Sequence, residues 1–204
     1  MCGLFGAIGE NQSASILQEI AEQAGRRGPH ANGIAWLDHG GINCRKVPGP
    51  INPATIYSGV STTALIGNCR LSTSGTPRDP ANNQPQVVGT VAVSHNGNIP
   101  CFAEIVAEVG AKLVTGCDSE VIAHYVFRKG VPETIKCLSG CEPLALLILS
   151  DEKISVYRAG QPLFVYEQDG CHYFCSRNFA QAHILPERQA FWFDLRGGHR
   201  YENS

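Results

Sequence analysis

The chain begins Met1-Cys2-Gly3-Leu4-Phe5-Gly6-Ala7-Ile8, and this stretch decides the fold. Its apolar part, from Leu4 to Ile8, predicts a short strand that holds the chain terminus inside the protein. Because Met1 precedes a small residue, we expect its removal, which leaves Cys2 with a free α-amine. Such an amine has a pKa of about 7.7–8.0 and can accept the thiol proton, so one residue would supply nucleophile and base. A cysteine at position two predicts little by itself.

The bulk composition is that of an ordinary globular protein. The 204 residues carry a net charge of −2, with 43% hydrophobic and 17% charged residues, and we expect a single domain over residues 1–204. The chain has no surplus of basic residues, so we expect no nucleic-acid partner. The apolar run at 144–149 is far shorter than the ~20 residues that span a bilayer. No signal peptide is visible at the N-terminus, so we expect a cytoplasmic location and no membrane partner.

Apolar periodicity predicts a mixture of strands and helices. Strands are expected at 4–8, 33–37, 64–71, 86–94, 144–149, 154–157, 163–166, 172–175 and 191–195. The first helix is expected to begin with a capping box of Ser15 and Gln18 and to end at Gly25. Two more are expected, at 102–110 and from Asp118 or Ser119 to Gly130. Strands at both ends with helices between them indicate two packed sheets covered by helices.

A polar segment, Ser94-His95-Asn96-Gly97-Asn98, follows the valine-rich strand. Asn-Gly is a common hairpin pair, and taken alone it favours a simple turn. The functional alternative is an oxyanion hole. In that interpretation the Asn96 side-chain amide and the Gly97 backbone N–H point at one developing negative oxygen.

Two charged residues sit where strands and helices meet. The segment Arg70-Leu71-Ser72-Thr73-Ser74-Gly75 follows a strand, and an arginine grips a carboxylate through two parallel hydrogen bonds. Asp118 opens a helix and can hold an ammonium group, although its ordinary role there is helix N-capping. A site with both charges binds a free amino acid. The segment Arg26-Arg27-Gly28-Pro29-His30 is, by itself, an ordinary surface turn.

The nine cysteines form an odd number in a chain without a secretory signal, so we expect no full disulfide framework. Cys137 with Cys141, and Cys171 with Cys175, each have three intervening residues. With His172 or His183 they are an alternative zinc site. That spacing suits the common zinc pairings poorly, and buried cysteines acting as small apolar side chains are favoured.

Several motifs, in chain order, resemble those of the class II glutamine amidotransferase domain, the N-terminal-cysteine family that includes the glutaminase halves of glucosamine-phosphate synthase and of glutamine phosphoribosyl-pyrophosphate amidotransferase. The motifs are Met1-Cys2-Gly3-Leu4-Phe5-Gly6, Arg27-Gly28-Pro29 with Gly33, Gly67-Asn68-Cys69-Arg70-Leu71-Ser72-Thr73-Ser74-Gly75, Gln84-Pro85, His95-Asn96-Gly97 and Asp118-Ser119-Glu120-Val121-Ile122. Leu138-Ser139-Gly140, Leu144-Ala145-Leu146 and the segment from Arg158 to Leu163 extend the match to about residue 165.

The resemblance implies an α+β fold, the four-layer αββα sandwich of N-terminal nucleophile hydrolases. It implies hydrolysis of L-glutamine to glutamate and ammonia, without a metal or cofactor. It also implies roles for matching positions: Cys2 as nucleophile with its α-amine as base, Asn96 and Gly97 as oxyanion donors, Arg70 for the glutamine α-carboxylate, Asp118 for its α-ammonium, Thr73 in the pocket wall, and Arg27 on a loop that closes near the site.

The chain departs from the family pattern at His30, Leu71 and Ser74, so the fine shape of the pocket is expected to differ. Because the sequence ends at Ser204 without a synthase domain, we expect ammonia to pass to a separate synthase or ligase subunit. Two alternatives stay open at this point. One is an N-terminal-cysteine hydrolase of a different amide, and the other is a non-catalytic domain that senses glutamine or scaffolds a partner.

Overall fold

The computed structural model describes residues 1–39, 41–72 and 75–201. These residues form two sheets whose strand pairs are antiparallel. The first sheet has seven strands, in the spatial order β11 (His183–Ile184), β9 (Phe164–Gln168), β10 (Cys171–Cys175), β1 (Gly3–Ile8), β4 (Ala64–Arg70), β2 (Ala31–Asp38) and β3 (Gly41–Pro48). The second has six, in the order β13 (Gly197–Arg200), β12 (Phe191–Asp194), β8 (Lys153–Ala159), β7 (Leu144–Ser150), β6 (Val91–Gly97) and β5 (Gln86–Val88).

Helices cover the outer face of each sheet. The first sheet carries α1 (Ala14–Gly25) and α2 (Pro53–Ile56), while the second carries α3 (Phe102–Val109), α4 (Ser119–Lys129) and α5 (Val131–Leu138). Three apolar clusters fill the spaces between the layers: helix against first sheet, sheet against sheet, and second sheet against helices. The predicted four-layer αββα sandwich is therefore confirmed.

Strand β1 lies in the middle of the first sheet, between β10 and β4. Successive side chains of a strand point to opposite faces. Leu4 and Ile8 accordingly join the cluster between the two sheets, and Phe5 packs in the cluster under α1. Each of these side chains is fully buried, and burial of one such side chain stabilises the fold by about 1.5–3 kcal/mol. The chain terminus is thereby fixed at the interface of the two sheets.

The start of α1 differs from the sequence prediction. The helix is capped by Ser13, whose Oγ accepts a hydrogen bond from the Ile16 nitrogen, and Ser15 lies inside the first turn. The predicted capping box of Ser15 and Gln18 is wrong, because Gln18 instead donates to Glu22 one turn later. The helix does end at Gly25, and its predicted apolar face is confirmed by the buried residues Ile16, Ile20, Ala21 and Ala24.

The single strand predicted over 86–94 is two strands. Gly89 has φ +56 and turns the chain between β5 and β6, which pair with each other. The sequence patterns also missed β3, β11, β13, α2 and α5. Strand β3 was missed because it is a sheet edge whose residues are exposed or half-buried, so the apolar alternation that marks a strand is weak.

The cysteine pairs considered as zinc ligands lie in different layers. Cys171 and Cys175 belong to the cluster under α1, whereas Cys137 and Cys141 belong to the cluster under α3–α5. The two sheets separate these clusters, so the pairs do not meet. In the described part of the chain, no helix combines the length and apolar character needed to cross a membrane.

Candidate active site

Cys2 lies where the two sheets meet. Its backbone nitrogen donates a hydrogen bond to Asn96 Oδ1 at 3.0 Å, and its Sγ lies 3.9 Å from the Leu71 carbonyl oxygen. Asn96 reaches Cys2 because Asn96 is on the face of β6 that points toward the first sheet. The contact joins residues 94 positions apart in the sequence.

Burial raises the pKa of the Cys2 thiol above its ordinary value of 9.0. A backbone hydrogen bond at Leu71, the positive chain terminus and Arg70 act in the opposite direction, but burial is the largest effect. The thiol is therefore protonated near neutral pH. Any nucleophilic role for Cys2 requires a base close to Sγ.

A polar pocket opens beside the Cys2 thiol. It is lined by Cys2, Arg70, Leu71, Gln84, His95, Gly97, Cys117 and Asp118. Four of the predicted site residues, Cys2, Arg70, Gly97 and Asp118, thus meet in one pocket although they come from four separate segments of the chain. A thiol, a guanidinium group and a carboxylate share this space, which suits a zwitterionic ligand.

Arg70 is the last residue of β4, and it is buried. Its Nη1 donates to Asn83 Oδ1 at 2.9 Å, and Asn83 Nδ2 donates in turn to the Pro77 carbonyl oxygen at 2.8 Å. Asn83 therefore fixes the guanidinium relative to the loop that follows β4. An arginine oriented in this way is suited to bidentate recognition of a carboxylate.

Asp118 occupies the N-cap position of α4, yet within the described residues its side chain makes no capping hydrogen bond. The helix-capping alternative for Asp118 is therefore wrong, and the carboxylate lines the pocket instead. Glu120 holds the preceding loop by accepting hydrogen bonds from the Val114 and Thr115 nitrogens at 2.9 and 2.8 Å. These bonds fix the loop that leads into α4.

Asn96 and Gly97 are the last residues of β6 and pair with Ala145 and Leu144 of β7. The hairpin-turn interpretation of this pair is therefore wrong. Gly97 has φ +152, and a Cβ there would lie 2.6 Å from the Pro143 carbonyl oxygen. Only glycine fits, and its backbone borders the pocket next to Cys2.

His95 forms part of the pocket wall. Burial lowers its pKa below 6.5, although the neighbouring carboxylate of Asp118 opposes that shift. Its Nδ1 lies 3.2 Å from Ser119 Oγ, and its backbone nitrogen donates to Gln84 Oε1 at 2.6 Å. The pocket therefore contains a neutral imidazole at neutral pH, with its ring orientation fixed by Ser119.

Arg27 lies beside Cys2 but outside the pocket wall. It follows α1, and its Nη1 and Nη2 donate to the Ser176 carbonyl oxygen at 2.9 Å and to Gln161 Oε1 at 3.1 Å. Burial lowers the pKa of this guanidinium from its ordinary value. His30 links the same segment to the loop after β4, because its Nδ1 accepts from the Ser72 nitrogen at 3.0 Å. Thr73, predicted in the pocket wall, and Ser74 lie outside the described residues.

Five polar or thiol residues of the site carry no role in the sequence analysis: Asn83, Gln84, His95, Cys117 and Gln161. Gln84 and Gln161 fall inside segments that resemble the family, which was the only available signal. Their contacts are long-range, and a buried glutamine in a loop gives no periodic pattern. Composition and spacing alone do not identify such residues.

The sequence is similar to a known protein family and to curated relatives. A family model described as a glutamine amidotransferase domain matches residues 68–181. A glutamine–fructose-6-phosphate aminotransferase (isomerizing) from Rhizobium leguminosarum bv. viciae is 32% identical over 186 residues, and the match covers 83% of this chain and 30% of the relative. The protein of the same name from Halobacterium salinarum is 30% identical over 181 residues, with the same coverage of 83% and 30%. The chain thus spans about 30% of the length of these curated relatives.

Solved structures show the same fold. Glutamine phosphoribosylpyrophosphate amidotransferase from B. subtilis matches with a TM-score of 0.80 and 22% identity over 100% of this chain and 49% of that chain. A glutamine aminotransferase class-II domain protein from Silicibacter pomeroyi matches with a TM-score of 0.70 and 12% identity over 100% of both chains. The family model covers more than half of the 204 residues. This chain therefore belongs to the glutamine amidotransferase family, as a class II domain with the N-terminal nucleophile hydrolase fold.

Proposed function

We propose that this domain hydrolyses L-glutamine to glutamate and ammonia through a thioester on Cys2. The observation that carries the proposal is the pocket in which the Cys2 thiol, the Arg70 guanidinium and the Asp118 carboxylate meet. A nucleophile with two opposite charges beside it suits a substrate that has an amide on its side chain and both charges of a free amino acid. Glutamine has these groups.

The reaction begins once Met1 has been removed. The neutral α-amine of Cys2 accepts the thiol proton, and the thiolate attacks the side-chain amide carbon of glutamine. The Asn96 side-chain amide and the Gly97 backbone N–H stabilise the tetrahedral oxyanion. Each such donor contributes roughly 2.7–4 kcal/mol, or about 10²–10³ in rate. The protonated amine then gives its proton to the leaving nitrogen, and ammonia departs.

The second half of the reaction releases glutamate. Water attacks the thioester carbonyl and transfers a proton to the α-amine, and the same two donors stabilise the second oxyanion. The C–S bond breaks, the sulfur regains its proton from the amine, and the enzyme returns to its starting state. No cofactor enters this scheme.

The charged pair in the pocket favours glutamine over other amides. Arg70 binds the α-carboxylate and Asp118 the α-ammonium, and an acyl amide without these charges forms neither charge-assisted contact. The loss of these contacts, each worth about 1.5–3 kcal/mol, produces the selectivity. Activity on glutamine, measured beside a panel of simple acyl amides, tests this point.

We further propose that the ammonia passes to a synthase or ligase partner. The relatives named above carry the word aminotransferase in their names, and this chain spans about 30% of their length. Purification of the protein with its natural partners, followed by a comparison of glutaminase turnover with and without them, tests the transfer. A turnover that does not depend on any partner contradicts it.

The decisive experiment compares wild type with Cys2→Ser, with the processing of both checked by intact mass. Wild type without Met1 should release ammonia from glutamine, and Cys2→Ser should lose at least about 10³-fold in kcat because the nucleophile is replaced. Equal rates in the two proteins would falsify the mechanism. Retention of Met1 in the natural protein would instead support a non-catalytic domain.

A further inference from the structure

Asn96 is held at both ends of its side-chain amide. Its Oδ1 accepts from the Cys2 nitrogen at 3.0 Å, and its Nδ2 donates to Gln161 Oε1 at 2.9 Å. Gln161 is 6% exposed and Asn96 is 3% exposed, so water does not compete for these bonds. One N–H of the Asn96 amide is thus committed to Gln161, and the second has no partner among the described residues and can donate to a ligand.

The orientation of this chain of amides is set by Arg27. A side-chain amide can turn end over end, and the two orientations differ only in their hydrogen bonds. Arg27 Nη2, which only donates, lies 3.1 Å from Gln161 Oε1. The oxygen of Gln161 must therefore face Arg27. Because this oxygen can only accept, the Asn96 amide must turn its Nδ2, and not its oxygen, toward Gln161.

The backbone places Gln161 within reach of Asn96. Leu144 pairs with Gly97 in the β6–β7 ladder and also forms a bridge with Gly160. Gly160 has φ +71, and a Cβ there would lie 2.9 Å from Pro143 Cβ. The chain therefore turns next to the end of β6 and presents the next residue, Gln161, to Asn96. Arg158 Nη1 also donates to the Gln161 carbonyl oxygen at 3.4 Å.

Removal of Met1 makes this orientation important. The Cys2 nitrogen then becomes an amine, which can accept as well as donate. If Asn96 turned over, its Nδ2 would donate to the amine lone pair and block the base. The Asn96 oxygen would then face both Gln161 Oε1 and the oxyanion. It would repel each of these two oxygens.

We propose that Gln161 is a positioning residue for this site. Anchored by Arg27, it fixes the Asn96 amide so that Oδ1 accepts from the Cys2 amine and the free N–H of Nδ2 points to the oxyanion. The amine lone pair is thereby left to the thiol proton. This inference rests on the proposed glutaminase function, and it adds a residue to which the sequence analysis gave no role.

The test compares Gln161→Leu with Gln161→Glu, in proteins shown by intact mass to lack Met1. Leucine removes the acceptor, so kcat should fall by about 10-fold or more, up to the 10²–10³ of a lost oxyanion donor. KM for glutamine should change by less than about twofold, because Gln161 does not line the pocket. Glutamate keeps an acceptor for Asn96 and Arg27, so kcat at the pH optimum should stay within about threefold of wild type.

A pH profile separates this role from a purely structural one. The negative charge of Gln161→Glu favours the protonated Cys2 amine, so the acidic limb of the kcat profile should move to higher pH. Gln12→Leu is the matched control, because the Gln12 side chain also makes two hydrogen bonds, which it donates to the backbone oxygens of Gly9 and Thr62, but lies outside the site. It should leave kcat and the pH profile unchanged.

Three results would overturn the inference: wild-type kcat in a folded Gln161→Leu, equal losses in Gln161→Leu and Gln161→Glu, or an unmoved acidic limb in Gln161→Glu. If Gln161→Leu does not fold, Arg27→Met together with Arg27→Met/Gln161→Glu tests the same chain. In Arg27→Met the Gln161 amide loses the group that orients it. A carboxylate at position 161 has two equivalent oxygens and needs no such orientation, so the double variant should recover part of the kcat lost in Arg27→Met. No recovery contradicts the inference. Absence of Cys2-dependent activity in wild type instead rejects the proposed function.

Discussion

The Cys2 nitrogen and Asn96 Oδ1, 3.0 Å apart, connect the residue before β1 in one sheet to the end of strand β6 in the other. In the chain that retains Met1, this nitrogen is a peptide amide and can only donate. Once Met1 is removed it is an amine with a lone pair beside the Cys2 thiol. The same hydrogen bond is therefore structural while Met1 is present. In our proposal it orients the catalytic base once Met1 has been removed.

Replacement of Asn96 by alanine should reduce kcat by about 10²–10³-fold, because one oxyanion donor is lost. KM should change far less, since the donor acts mainly in the transition state. Steady-state glutaminase kinetics measure both. Asn32→Ala is the control: Asn32 is also buried and donates to the Gly49 carbonyl oxygen at 3.0 Å, but it lies away from Cys2. Its loss should cost stability and leave kcat intact; an equal kcat loss in both variants contradicts the assignment.

A residue joined to Cys2 through its nitrogen should abolish the base. An N-terminal extension that keeps Met1 in place is expected to lower glutaminase activity by at least about 10²-fold, because an amide nitrogen has no lone pair for the thiol proton. Proteolytic removal of the extension together with Met1 should restore activity. Intact mass and ammonia release follow the two states. Full activity in the extended protein would exclude the α-amine as base.

Asp118→Asn should weaken glutamine binding. Loss of a charge-assisted contact of about 1.5–3 kcal/mol corresponds to a KM increase of roughly 10–150-fold, with a smaller change in kcat. Asp38→Asn is the matched control, because Asp38 accepts from the His39 nitrogen at 2.9 Å and does not line the pocket. An unchanged KM in Asp118→Asn would remove this residue from the substrate site.

The protein should lose stability at alkaline pH. Burial raises the pKa of Cys175 from 9.0 to about 12, although Arg27 and Arg177 oppose the shift. The folded state thus keeps a proton that the unfolded chain releases above pH 9. The contribution of Cys175 to the free energy of unfolding is complete below pH 9. It falls by up to about 1.4 kcal/mol per pH unit between pH 9 and pH 12. Urea midpoints over this range should fall, and less steeply in Cys175→Ala. Parallel slopes in the two proteins contradict the explanation.

Gly67→Ala should destabilise the protein through Phe5. A Cβ at Gly67 would lie 2.1 Å from Cζ of the Phe5 ring, so the ring and β1 would have to shift, at a cost of about 1–3 kcal/mol. Phe5→Leu makes room, so the double variant should lose less than the sum of the single variants. Gly41→Ala, where a Cβ meets nothing within 4 Å, is the control for urea unfolding. Strict additivity would show that the two residues do not compete for space.

The sequence predicted the elements whose apolar pattern is strong. The buried faces of β1 and α1 follow from local periodicity, and the breaks at Gly25, Gly110 and Gly130 follow from the preference for glycine at helix ends. The capping box at Ser15 failed because Ser13 is an equally good cap two residues earlier. The turn inside the predicted strand over 86–94 was missed, because Gly89-Thr90 is a weak turn signal between two valine-rich segments.

The amino-acid sequence by itself determined the chemical groups: a cysteine behind Met1, an Asn-Gly pair after a buried strand, and one charge of each sign at strand and helix ends. Only the tertiary structure decided that Asp118 lines a pocket and does not cap its helix, that Asn96 ends a strand, and that Gln161 lies 2.9 Å from Asn96 across 65 positions of sequence. The physical reason is that local patterns report which face of an element is buried. The partners of a buried polar group are fixed by how two sheets pack together.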